Sequence, residues 1–203
     1  MKYDRIQEMF RYITPGLYFL ALVLIVNFDT ISGNEQLKDS ITKFSAIIIV
    51  LLPFVGFVLG YFIECIMACL ERFIYLVGFP RPSRVVLNGK NCLYYLSDEA
   101  RESITKGASV KNKEANRYQQ IAKQMVGDKE IVSRCYYQSI MARHILGAQL
   151  LASIYYLTTA GGWSWCHFTW VMAILLLLTF FWYHQTCVYM KYLFAEYGKT
   201  LKS

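Results

Sequence analysis

Charge is scarce in this sequence. Asp, Glu, Lys and Arg supply 17% of its 203 residues, against roughly a quarter in soluble domains. Hydrophobic residues supply 56%, and they stand in solid blocks rather than at helical spacing, which points to a bilayer rather than a soluble core. Recognisable site chemistry is scarce too. None of the six cysteines pairs at C-x-x-C spacing, which removes the common zinc and redox motifs, and no disulfide framework is implied. No N-x-S/T sequon occurs, so nothing points to glycosylation. There is no Ser-His-Asp order, phosphate loop, dinucleotide loop or H-E-x-x-H, and no arginine stands five residues before a histidine. The chain is therefore read as a non-enzyme, with no cofactor and no metal implied.

What the sequence does contain is four oily stretches: 13–28, 44–70, 145–160 and 168–183, the last continuing toward Tyr197. The first has no small-residue cleavage site after it and reads as a retained span rather than a signal. Pro15 lies near its start, where a missing N–H costs little, and Met9 to Tyr12 extends it as an amphipathic turn. The second contains a single charge, Glu64, and is long enough to cross with tilt; its helix is expected to stop at Gly78, before Pro80 and Pro82. Trp163, Trp165 and Trp170 fit one aromatic belt, and Trp182, Tyr183 and Tyr189 the other.

Lysine and arginine set the direction. Between Glu71 and His144 they far outnumber Asp and Glu, the segment between the third and fourth spans has none, and the ends add Lys2, Arg5, Arg11, Lys191, Lys199 and Lys202. The positive-inside rule then puts both ends and the long middle segment in the cytoplasm. The expected fold is an all-α membrane protein: an amphipathic N-terminus (1–12), spans one and two (13–78), a basic cytoplasmic insert (79–144), and spans three and four with a tail (145–203). The net charge of +7 then belongs to the inner face and its anionic lipids.

The insert is too long to lack structure of its own. Val85 to Leu87 and Cys92 to Leu96 form either a hairpin around Asn88-Gly89-Lys90-Asn91 or an interfacial helix. Ser97 reads as the cap of a helix ending by Gly107. Residues 114–126 show helical spacing, Gly127 and Asp128 end that helix and cap the next, and a helix from Ile131 is expected to run unbroken into span three as part of a stalk. Arg81, Arg84, Lys106, Lys111, Lys113, Arg117 and Lys123, with Tyr118 among them, combine cation and aromatic as nucleotide and single-strand sites do; the bland alternative is a solvated helical face.

In the spans, Glu64 is the one ionisable group well inside an apolar run, either functional or snorkelling to the interface. With Glu71 it shares a helix face that could line a cation path. Gly56 and Gly60 form a G-x-x-x-G for close packing, within one chain or between chains. His144 and His184 fall near the inner boundary, where with Glu64 they make the only polar centre a lipid enzyme would have.

The order from Glu64 through a stalk to the basic elbow at Arg84, and the insert as far as His144, resemble in layout the small membrane effectors of bacterial antiviral systems. These include the multi-span accessory membrane proteins of type VI-B CRISPR loci and channel effectors gated by a nucleotide or oligonucleotide. The resemblance implies a homo-oligomer in the bacterial inner membrane that makes or gates a pore, with Glu64, Glu71, Gly56 and Gly60 lining it and the basic insert sensing a nucleotide, oligonucleotide or cytoplasmic protein. The alternative is a non-conducting anchor that recruits a soluble partner.

Overall fold

The computed structural model describes residues 2–89, 94–127, 129–159 and 165–201, with side chains from Met9 onward. Among the described residues every regular element is helical, and there is no strand. In chain order these are α1 (Lys2–Val26), α2 (Phe28–Gly33), α3 (Glu35–Lys43), α4 (Ser45–Leu76), α5 (Pro82–Asn88), α6 (Asp98–Thr105), α7 (Asn112–Val126), α8 (Glu130–Thr159) and α9 (Trp165–Thr200). Among the described residues three helices are long and apolar enough to cross a membrane: α1 from Met9 to Val26, α4, and α9. The expected span 145–160 falls at the end of α8, with Ala160 outside the described residues.

The chain forms two compact units, divided within α4, α8 and α9. Unit 1 comprises Met1–Leu70 and Arg143–Thr179. Its helices meet through small residues. Gly16, Gly56 and Gly60 are buried, and a Cβ at Gly60 would lie 1.8 Å from the Tyr12 carbonyl oxygen, one at Gly16 1.8 Å from that of Gly56. The G-x-x-x-G of α4 is thus spent on α1 of the same chain, where only glycine admits such an approach. Gly147 does the same for α8, its missing Cβ leaving room for Met67 and Ile63. Hydrogen bonds join α1 and the residue after it to α8: Tyr18 Oη donates to Gln149 Oε1 at 2.8 Å, and Asn27 Nδ2 to Tyr155 Oη at 2.8 Å.

Two expectations for this unit need revision. The segment between the first two oily stretches, Asp29 to Lys43, carries Lys38 and Lys43 against Asp29, Glu35 and Asp39 and reads from sequence as a loop; it is mostly helical, forming α2 and α3. Pro15 lies inside α1, because that helix already begins at Lys2.

Unit 2 comprises Glu71–Ala142 and Phe180–Ser203. Its core holds Val86 and Leu87 of α5, Ile104 of α6, Ala115 and Ala122 of α7, Cys135 of α8, and Leu193 and Phe194 of α9. Ser97 acts as read, its Oγ accepting from the Ala100 N–H and capping α6. The helix expected over 114–126 begins earlier, at Asn112, where Glu114 accepts from the Lys111 N–H. Lys106 ends α6 in the left-handed conformation with Gly107 after it. Val85 to Leu87 are helical, in α5; the Lys90-Asn91 turn and Cys92 lie outside the described residues, as do Asp128 and the outer turn at 160–164 with Trp163. The inner aromatic belt is corrected: Trp182 and Tyr189 are buried in unit 2. Past Thr179, α9 packs against its own domain, so those rings meet protein rather than headgroups.

Candidate functional site

A proline opens the polar site of unit 1. Pro15 carries no N–H, so the carbonyl one turn earlier, that of Arg11, has no helical donor. His144 of α8 supplies one: its Nδ1 lies 3.2 Å from the Arg11 oxygen. A carbonyl only accepts, so this contact puts the ring proton on Nδ1. The imidazole is completely buried and stacks against Tyr12, with centroids 6.1 Å apart.

Glu64 enters from α4. One carboxylate oxygen, Oε1, accepts from Arg11 Nη2 and from Arg143 Nη2, the latter at 3.3 Å; the Tyr12 hydroxyl also bonds to this carboxylate. His144 Nε2 stands 4.0 Å from the same oxygen. The guanidinium of Arg11 lies over the Tyr12 ring, whose edge and face meet Phe57 and Tyr61. Three helices are thereby tied at one level. The side chains of Arg11, Glu64 and Arg143 are 15–17% exposed, and Glu64 is held between the two cations. Arg11, Tyr12 and Arg143 had been read only as positive-inside charge and helix extension. A buried carboxylate needs cations at its own depth, and Arg11 and Arg143, at the ends of two spans, are the ones that qualify.

His144 and His184 take different partners. In unit 2, His184 Nδ1 accepts from or donates to the Tyr94 hydroxyl at 2.9 Å and stacks with Phe180. Burial raises the Tyr94 hydroxyl above its ordinary value of 10.0. No group of His, Cys, Asp and Glu able to hold a metal occurs among the described residues. No protein-family model, curated protein or solved structure matches the chain.

The insert's candidate residues take different surroundings. Lys106, Lys111, Lys113 and Arg117 are exposed around the α6–α7 junction and along α7. Arg81 turns inward, its guanidinium 4.9 Å from the Tyr75 ring centroid and bonded to Asn116 Oδ1 at 2.9 Å. Arg84 is half-buried and Tyr118 packs against the core. Lys123 lies over the rings of Tyr136 and Tyr189. The rings of Tyr118, Tyr136 and Tyr189 thus contribute to the packing of unit 2. A cavity of about 380 Å³ beside α6 is lined by Asp98, Arg101 and Glu102 and by none of the candidate cations.

The elbow after α4 reads from sequence as basic, and its exposed apolar surface has no signal there. Phe73, Leu76, Val77 and Phe79 are all exposed, Leu76 at 84% and Val77 at 73%. Phe73, Val77 and Phe79, with Ile74, Gly78 and Pro80, line an apolar hollow of about 460 Å³. Gly78, at φ +103°, makes the bend. Asn112 holds it from α7, accepting from the Arg81 N–H and donating to the Phe79 carbonyl. Arg72 lies exposed at its edge.

Proposed function

We propose that the chain is a four-span membrane anchor whose cytoplasmic helical unit recruits a soluble protein through the apolar elbow at Phe73–Phe79. The exposed elbow is the observation that carries this reading.

Ser45 to Glu64 in α4 rises about 28 Å, Arg11 to Val26 about 22 Å, His144 to Thr159 about 22 Å and Trp165 to Thr179 about 21 Å, against a hydrocarbon core of ~30 Å. All four segments fit one slab with the Arg11–Glu64–Arg143 cluster at its inner boundary. The end of α8 then serves as the fourth span. It is less oily than the others because Tyr18 of α1 and Asn27 just after it satisfy its Gln149 and Tyr155. Leu76 comes about 18 Å beyond Glu64 along α4, past the headgroups, where contiguous exposed apolar surface marks a protein partner. Arg72 and the cations of α7 suit an acidic rim on that partner. The ends and unit 2 face the cytoplasm of a bacterial inner membrane on this reading, in keeping with the resemblance in layout to antiviral effectors.

Photo-crosslinking in cells tests it. A photoreactive residue at Val77 should capture a cytoplasmic protein, and the adduct should vanish with Leu76→Asp plus Phe79→Asp while membrane insertion is unchanged. Capture of lipid alone would reject the docking surface. Ion flux through liposomes containing the purified protein would favour the oligomeric channel gated by a nucleotide or oligonucleotide.

A further inference from the structure

The helix α3 has nine residues, and a helix that short is marginal alone in water. Nothing in its own unit stabilises it by burial: neither α2 nor α3 has a buried residue. Local capping is present, since Asn34 Oδ1 accepts from the Leu37 N–H, but one cap contributes only about 1 kcal/mol.

The pattern around α3 supplies the missing partner. Leu37, Ile41 and Phe44 recur at i, i+4 and i+7, all exposed, which aligns them in one stripe. Glu35, Lys38, Asp39, Thr42 and Lys43 occupy the rest of the circumference. Both ends are tethered at the membrane boundary: α1 ends at Val26, just before α2, and α4 begins at Ser45, just after Phe44. A segment tied between two spans and carrying one apolar stripe has lipid within reach of that stripe. The charges on α3 are two acids and two lysines, so apolar burial rather than attraction to anionic lipid holds it.

We infer that α3 lies flat in the boundary between headgroups and acyl chains, with Leu37, Ile41 and Phe44 turned into the lipid, as a brace joining the ends of α1 and α4. The inference needs only those two spans and is independent of the docking elbow.

The test uses the whole protein in phosphatidylcholine vesicles, with p-benzoylphenylalanine at Ile41 or at Asp39 and mass spectrometry of the irradiated product. Acyl-chain adducts should form several-fold more at position 41 than at 39, with equal yield when phosphatidylglycerol is included or salt is raised. Leu37→Asp should lower the yield at 41 several-fold. Equal adducts at both positions, crosslinks between two copies from position 41, or a yield that climbs with phosphatidylglycerol would each overturn the inference.

Discussion

At the scale of single residues, the polar site turns on what Pro15 withholds. Replacing His144 with alanine leaves the Arg11 carbonyl without a donor, at a cost of about 1–3 kcal/mol. Pro15→Ala returns an N–H to α1, so the double variant should recover most of that loss. Thermal unfolding in detergent checks this, and failure of Pro15→Ala to rescue would show that His144 acts by packing alone. Glu64 is the second pivot. Glu64→Gln removes the charge that Arg11 and Arg143 share and should lower stability by about 3 kcal/mol, the cost of stranding buried cations. Adding Arg143→Gln should restore part of it, read in the same melts. In unit 2, burial raises the Cys135 thiol above its ordinary value of 9.0 and the Tyr94 hydroxyl above 10.0. Both groups hold their protons more tightly folded than unfolded. The stability they add is therefore complete below pH 9.0 and is lost as pH rises through the higher folded values. The melting temperature should fall in alkali, and less steeply in Cys135→Ala.

At the scale of helices, α1 and α4 are joined by glycine contacts of unequal severity. A methyl at Gly60 or Gly16 meets backbone at 1.8 Å, one at Gly56 meets the Leu17 side chain at 3.0 Å, and one at Gly33 meets nothing within 4 Å. Gly60→Ala and Gly16→Ala should each cost about 3 kcal/mol or more by forcing the helices apart, Gly56→Ala about 1 kcal/mol, and Gly33→Ala under about 0.5 kcal/mol. Melting temperatures of the four variants should fall in that order. The G-x-x-x-G motif was legible in the sequence, but its partner was not. The same spacing serves helices of one chain or of two, and nothing local distinguishes them. Ser97 and Gly107 were legible because caps and left-handed turns are decided within a few residues. The stretch 29–43 was misread because a nine-residue amphipathic helix has too few turns for its period to stand out among charges.

At the scale of the whole molecule, the anchor reading predicts inside-facing reporters at Lys111 and at the C-terminus, and an outside-facing one near Ser40. A reporter near Lys111 that faces outward would reverse the topology. By itself the sequence determined the helical class, three of the four stretches read as spans, and the cationic middle segment, because each depends on composition summed over many neighbouring residues. Tertiary structure alone decided which charges meet. The bond from His144 to the Arg11 carbonyl spans 133 positions and the pair of Arg143 with Glu64 spans 79. Such partners are chosen by helix packing at a common depth, and separation along the chain carries no record of depth. The elbow at Leu76 was hidden for the converse reason: an apolar residue reads alike in sequence whether lipid, core or nothing covers it.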